Sequence, residues 1–154
     1  LVEELATGWP VKPRIVTTEE DKLAAFRAAR AALVKSGTVT LELALAGVPM
    51  VAAYRLRFVE ALIAKLLLRV ETVILANLVI GEKIVPEFLQ YDCTPEALAA
   101  GLLDIMRDGA ARDRQLNAFA RLDAIMETGA RPPSARAAAA VIDAAAGAVA
   151  RVSP

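Results

Sequence analysis

Between residues 14 and 54, short β-branched or apolar runs alternate with longer stretches of helical composition, and hydroxyl, glycine and proline residues mark the switches. After Pro10 and Pro13, RIVT at 14–17 has the composition of a short strand. Thr18 stands three residues before Asp21, close to a capping box, and opens a helix over EEDKLAAFRAAR. AALVK at 31–35 predicts the next strand, which ends at Ser36-Gly37. Residues 38–46 are helical in type and stop at Gly47, and Pro49 leads into a third strand, MVAAY at 50–54. Strand and helix alternating at this spacing predict an α/β fold with a parallel sheet and crossover helices.

Further along, Val59, Leu62, Ile63, Leu66, Leu67 and Val70 fall on one face of a predicted helix between Leu56 and Val70. TVILAN at 72–77 reads as a fourth strand. LVIGEKIVPEFLQ, broken by Gly81 and Pro86, predicts a loop leading to a short helix near 85–90. Thr94-Pro95-Glu96 supplies a cap, a first-turn proline and an acid at the positive end of a helix. Two helices are therefore expected at about 95–107 and 110–127, with Gly109 and Gly129 as stops. The Pro132-Pro133-Ser134 break precedes an alanine-rich helix at about 134–146, where the alanines signal helix propensity. No internal repeat is evident.

Composition narrows the chemistry. At 154 residues the chain is about the size of one domain. Lysine plus arginine and aspartate plus glutamate both total 18, so no net field recruits nucleic acid. There is no histidine, which removes imidazole-based metal and acid/base chemistry, and the single Cys93 forms no internal disulfide. Cys93 reads as a small packed hydrophobe, because no base accompanies it. Although 56% of the residues are hydrophobic, the longest uncharged run, Leu43 to Tyr54, is well short of the roughly 20 residues of a spanning helix. No membrane span is expected. The chain opens Leu-Val-Glu-Glu, without an initiator methionine or a signal-peptide pattern, and is expected to be a piece of a longer polypeptide.

Ser36-Gly37-Thr38 falls where a strand ends and a helix begins, a place where unpaired backbone N–H groups collect and can receive an anion. Its bland alternative is an N-cap on a tight turn. Glu42 lies one turn further in, about 6 Å along a helix axis from Thr38. That is close to the span from a diphosphate to the ribose of the same nucleotide, and a carboxylate accepts two hydrogen bonds from vicinal hydroxyls. The alternative is a solvated surface glutamate, but Leu41, Leu43, Leu45 and Val48 leave it little exposed face. Arg55, after the third strand, is the candidate cation for a leaving phosphate, against the alternative of an ordinary surface arginine. The amphipathic stretch 55–70, with Arg55, Arg57, Lys65 and Arg69, is compatible with a bilayer interface, but a core-packing helix is the favoured reading.

SGTVTLELALAGVPMVAAYR, NLVIGEKIVPEFLQ and DCTPEALA, in that order, resemble the carboxyl-terminal half of the lipid-A-disaccharide synthase family, glycosyltransferases with two Rossmann-like domains (GT-B). The similarity runs from about residue 14 to about 145. It departs from the family pattern at Leu75-Ala76, where a proline is usual, and at the basic Arg30 and Lys35. The resemblance implies a Rossmann-like parallel sheet flanked by helices, forming one UDP-sugar-binding domain over 1–154 with 110–147 as carboxyl-terminal helices. The amino-terminal acceptor domain, and the catalytic base with it, would lie outside this chain. It further implies a nucleotide-sugar site of Ser36, Gly37, Thr38 and Glu42, with Arg55 as the cation and Asn77, Glu87 and Gln90 near the cleft. Without the family, Asn77 reads as a turn residue and Gln90 as a helix-surface amide. The implied substrates are a UDP-activated diacylated glucosamine and a diacylated glucosamine 1-phosphate, joined by an inverting transfer. The implied location is cytoplasmic, peripheral to the inner face of the bacterial inner membrane, with room for a homodimer. No cofactor or metal is called for, and no D-x-D occurs to bridge a diphosphate. Two rivals remain, a UDP-sugar epimerase-like domain, for which a doubled acid is expected where only Glu42 stands, and a non-catalytic helical interaction module. A dinucleotide dehydrogenase is disfavoured because no G-x-G-x-x-G follows any strand.

Overall fold

The computed structural model describes residues 2–55, 72–127 and 132–152, and the chain divides into two compact units, 1–122 and 123–154. In chain order the elements are α1 (Val2–Ala6), α2 (Glu19–Ala28), β1 (Ala32–Lys35), α3 (Val39–Leu45), β2 (Met50–Tyr54), α4 (Leu75–Ile80), β3 (Glu87–Leu89), α5 (Pro95–Met106), α6 (Ala110–Phe119), α7 (Leu122–Met126) and α8 (Pro133–Val152). A single 3₁₀ turn, Gln90–Asp92, follows β3. The sheet has the order β1-β2-β3 and both pairings are parallel, with Lys35 opposite Ala53 and Tyr54 opposite Leu89. This is the α/β architecture with a parallel sheet that the alternating pattern predicts, and it has the Rossmann-like form that the resemblance implies.

Local chemistry explains most of the element starts. The Thr18 hydroxyl accepts the Asp21 N–H at 3.1 Å, and three acids in the first turn of α2 complement the positive end of the helix. Thr94 does the same for Ala97 at 3.2 Å, with Pro95 in the first turn of α5. The two faces of β2 then take different neighbours. Met50 and Ala52 join Val34 in a buried cluster with Leu43 and Ala44 of α3, Ala76 and Ile80 of α4, and Phe119 of α6. On the opposite face, α5 lies so close that a Cβ on Gly101 would sit 3.0 Å from the Phe88 ring and 3.5 Å from Val51. Glycine is what admits the helix to the sheet at that point.

Four expectations need correction. RIVT is not a strand: residues 12–17 are extended without regular pairing, Ile15 is 40% exposed, and a β-branched run without a neighbouring ladder stays a loop. Residues 72–77 are not a strand either. Thr72 to Ile74 are irregular, and the helix-favouring Leu75-Ala76 begins α4, which ends at the left-handed Gly81 (φ 79°). The short helix near 85–90 is instead β3, and Pro86, taken as a breaker, stands at its entry, where its carbonyl accepts the Ala52 N–H at 2.9 Å. The helix expected over 110–127 is two, α6 and α7, broken at Ala120 and Arg121. The last helix extends the predicted 134–146 in both directions. The amphipathic prediction at 56–70 and the Gly129 stop lie outside the described residues.

Candidate functional site

Three parallel strands end on the same side of the sheet, and the chain leaves them at Ser36, Arg55 and Gln90. The carboxyl edge of an open α/β sheet is where such folds place their ligands. Gly37 turns the chain there at φ 150°, a conformation open to glycine and strained for other residues, and nothing lies within 4 Å of the position a Cβ would take. Buried Thr40 pins the turn from behind, its hydroxyl donating to the Gly37 carbonyl at 2.8 Å. The Ser36 hydroxyl donates to the Val73 carbonyl at 2.7 Å, tying the turn to the 72–74 segment. Thr38 is exposed and its side chain makes no cap hydrogen bond.

Glu42 sits in the first turn of α3, and its side chain is 42% exposed. Its Oε2 accepts from Lys22 Nζ of α2 at 2.8 Å, and the same ammonium reaches Glu19 at 2.6 Å. Glu19 first and Glu42 second hold Lys22 above the ordinary lysine value, so the ammonium stays charged at neutral pH. The carboxylate is therefore neither buried nor adrift in solvent. A diol approaching it meets an oxygen pair of which one is already shared with a cation.

Buried Asn77 and half-buried Glu87 share one hydrogen-bond network. Asn77 is 1% exposed; its Oδ1 accepts the N–H groups of Ile84 (3.0 Å) and Val85 (2.8 Å), and its Nδ2 donates to the Val85 carbonyl (3.0 Å) and to Glu87 Oε1 (3.0 Å). Glu87 also accepts from the Thr72 hydroxyl and, through Oε2, from the Val73 N–H at 3.1 Å. Ser36, Val73, Glu87 and Asn77 thus form a continuous chain of hydrogen bonds from the end of β1 to the turn before β3. Asn77 shapes the loops beneath the edge and does not project from it, whereas Glu87 also borders an open cavity beside Tyr91.

At the ends of β2 and β3, exposed Arg55 donates from Nε to the Gln90 carbonyl at 3.3 Å. Gln90 holds a left-handed φ of 51°, unusual for a non-glycine residue and a conformation of the sort that collects at functional sites. Beyond it, Tyr91 is 85% exposed and borders an open cavity of about 480 Å³ with Glu87, Phe88, Asp92, Thr94 and Ala97. Ser36, Gly37, Thr38, Arg55 and Gln90 share the carboxyl edge. Thr72 and Gln115 are not anticipated by the sequence because their partners, Glu87 and Met50, lie far along the chain; Thr40, three residues after Gly37, is a local signal that went unread.

A parallel α/β sheet with a glycine turn after its first strand and polar groups at all three strand ends defines a Rossmann-like domain. The profile described as Lipid-A-disaccharide synthetase matches residues 6–141, and the chain belongs to that family, glycosyltransferases of lipid A biosynthesis. It is similar to the lipid-A-disaccharide synthase of Nitrobacter hamburgensis, 62% identical over 142 residues, covering 92% of this chain and 36% of that protein. It is 61% identical over 137 residues to that of Bradyrhizobium diazoefficiens, covering 89% of this chain and 35% of that protein. The lipid-A-disaccharide synthase of Gluconobacter oxydans is 42% identical over 142 residues, covering 92% of this chain and 34% of that protein. The chain thus spans about a third of the length of these curated relatives. Among the described residues no helix is long and apolar enough to cross a membrane.

Proposed function

We propose that this chain is the donor-binding part of an inverting lipid-A-disaccharide synthase. The carboxyl edge takes the UDP of a UDP-activated diacylated glucosamine, with the diphosphate at the Ser36-Gly37-Thr38 turn and Glu42 accepting from the ribose hydroxyls. The observation that carries this reading is the gathering of Ser36, Gly37, Thr38, Arg55 and Gln90 at the ends of three parallel strands, in a chain of this family. Transfer to the diacylated glucosamine 1-phosphate leaves negative charge on UDP. Backbone N–H groups at the turn and the Arg55 guanidinium are oriented before the reaction, so they stabilise that charge without reorganising. Asn77 and Glu87 act from behind, by fixing the loops on which the turn rests. Acylated substrates place the working enzyme at the inner face of the cytoplasmic membrane, with the acceptor site and general base supplied by polypeptide outside residues 1–154.

The 154-residue chain alone is therefore expected to bind UDP weakly and to transfer nothing. In amide NMR spectra, added UDP should shift the resonances of Gly37, Thr38 and Glu42 and leave those of α8 in place. Sugar transfer by this chain alone, or UDP-induced shifts confined to other residues, would contradict the assignment.

A further inference from the structure

Lys35 closes β1 immediately before Ser36, and its exposed side chain carries the ammonium to 5.4 Å from the centre of the Tyr54 ring, the last residue of β2. Exposed Arg55 comes next in the chain after Tyr54. Among the described residues neither cation forms an ion pair, which is true also of Arg27, Lys83 and Arg114; what sets Lys35 and Arg55 apart is their place at the ends of adjacent parallel strands. Among the described residues no carboxylate pairs with these two positive charges at the ends of adjacent parallel strands, on the side where Gly37 turns the backbone. Charge held in this way is complementary to a polyanion. The face of an aromatic ring attracts an ammonium through its quadrupole and occupies none of its hydrogen-bond donors as a carboxylate would. All three N–H groups of Lys35 remain available to ligand oxygens.

The geometry points to Lys35, oriented by Tyr54, as a binding residue for the diphosphate of a nucleoside diphosphate, acting beside Arg55. The inference rests on the donor-site reading above and deepens it by naming a side chain that contacts the phosphates. Lysine suits the task as a point charge whose donors reorient between phosphate oxygens.

The test is calorimetric titration of the full chain with UDP, UMP and uridine at low and moderate salt. Lys35→Met keeps the apolar stem against Tyr54 and removes the charge together with its three donors. It is expected to weaken UDP about tenfold, UMP less and uridine not at all, and to flatten the salt dependence of UDP binding. Lys35→Arg should stay within about threefold of the parent for UDP, since the charge is retained. Tyr54→Leu should reproduce part of the Lys35→Met effect, and Tyr54→Phe should not. Unchanged UDP affinity in Lys35→Met, or an equal loss for uridine, overturns the inference. If the parent chain binds UDP and Glu42→Ala weakens it while Lys35→Met does not, the role of Lys35 alone is refuted. If the parent chain binds no UDP, the donor-site reading fails and this inference fails with it.

Discussion

Replacing Asn77 with alanine is expected to destabilise the sheet-containing unit by about 3 kcal/mol, read as a lowered midpoint in urea unfolding. One side chain satisfies two backbone N–H groups, at Ile84 and Val85, and supplies donors to the Val85 carbonyl and Glu87. Truncation leaves the Val85 N–H buried without a partner, at about 1–3 kcal/mol, leaves the Ile84 N–H only its bond to the Glu82 carbonyl, and takes a donor from the Val85 carbonyl and from half-buried Glu87. Asn77→Asp should not rescue the loss. It keeps an acceptor for the two N–H groups but sets a second carboxylate against Glu87, at a position where Asn77 Nδ2 now lies 3.0 Å from Glu87 Oε1. A loss below about 1 kcal/mol in the alanine variant would show that the loop before β3 is held by something other than this amide.

Gln115→Ala is the second large effect, expected at about 3 kcal/mol by the same measurement. Gln115 projects from α6 and is 1% exposed; its Oε1 accepts the Met50 N–H at 2.8 Å and its Nε2 donates to the Met50 carbonyl at 3.0 Å. β3 pairs with β2 only from Ala52 onward, so Met50 at the start of β2 has no strand beside it on that side. The glutamine amide reproduces the donor and acceptor pair of a neighbouring strand and closes the ladder where the sheet is short. Gln115→Glu should cost a comparable amount, because a carboxylate cannot donate to the Met50 carbonyl and is buried as well. If both variants unfold at the parent's midpoint, Met50 is satisfied in another way and the side chain does not complete the sheet.

The parts of the fold legible in the sequence are those fixed by interactions within a few residues. Thr18 and Thr94 announce their helices because each cap binds an N–H three residues away. Ser36-Gly37-Thr38 is visible for a similar reason, since the turn demands glycine at one position and its pinning hydroxyl, Thr40, is three residues on. β3 was not legible, because three residues after a proline become a strand only through β2, whose sequence lies more than thirty positions earlier. RIVT fails in the opposite sense, having strand composition and no partner to pair with. The same distinction runs through the site. Ser36, Gly37, Thr38 and Arg55 follow strands that the local pattern predicts, whereas the hydrogen bonds of Asn77 and Glu87 belong to a network that only the folded chain assembles. Lys22, which holds Glu42, belongs to a helix twenty residues earlier and leaves no mark on the local pattern around the acid.

In the proposed donor site a uridine diphosphate rests at the Ser36-Gly37-Thr38 turn with its ribose against Glu42. Calorimetric titration with UDP and 2′-deoxy-UDP, on the parent chain and on Glu42→Ala, tests it most directly. A carboxylate bound to a ribose diol should give the parent about a tenfold preference for UDP, and Glu42→Ala should bind both nucleotides with equal, weakened affinity. A parent chain indifferent to the 2′-hydroxyl, or a Glu42→Ala variant that keeps the preference, would contradict the account.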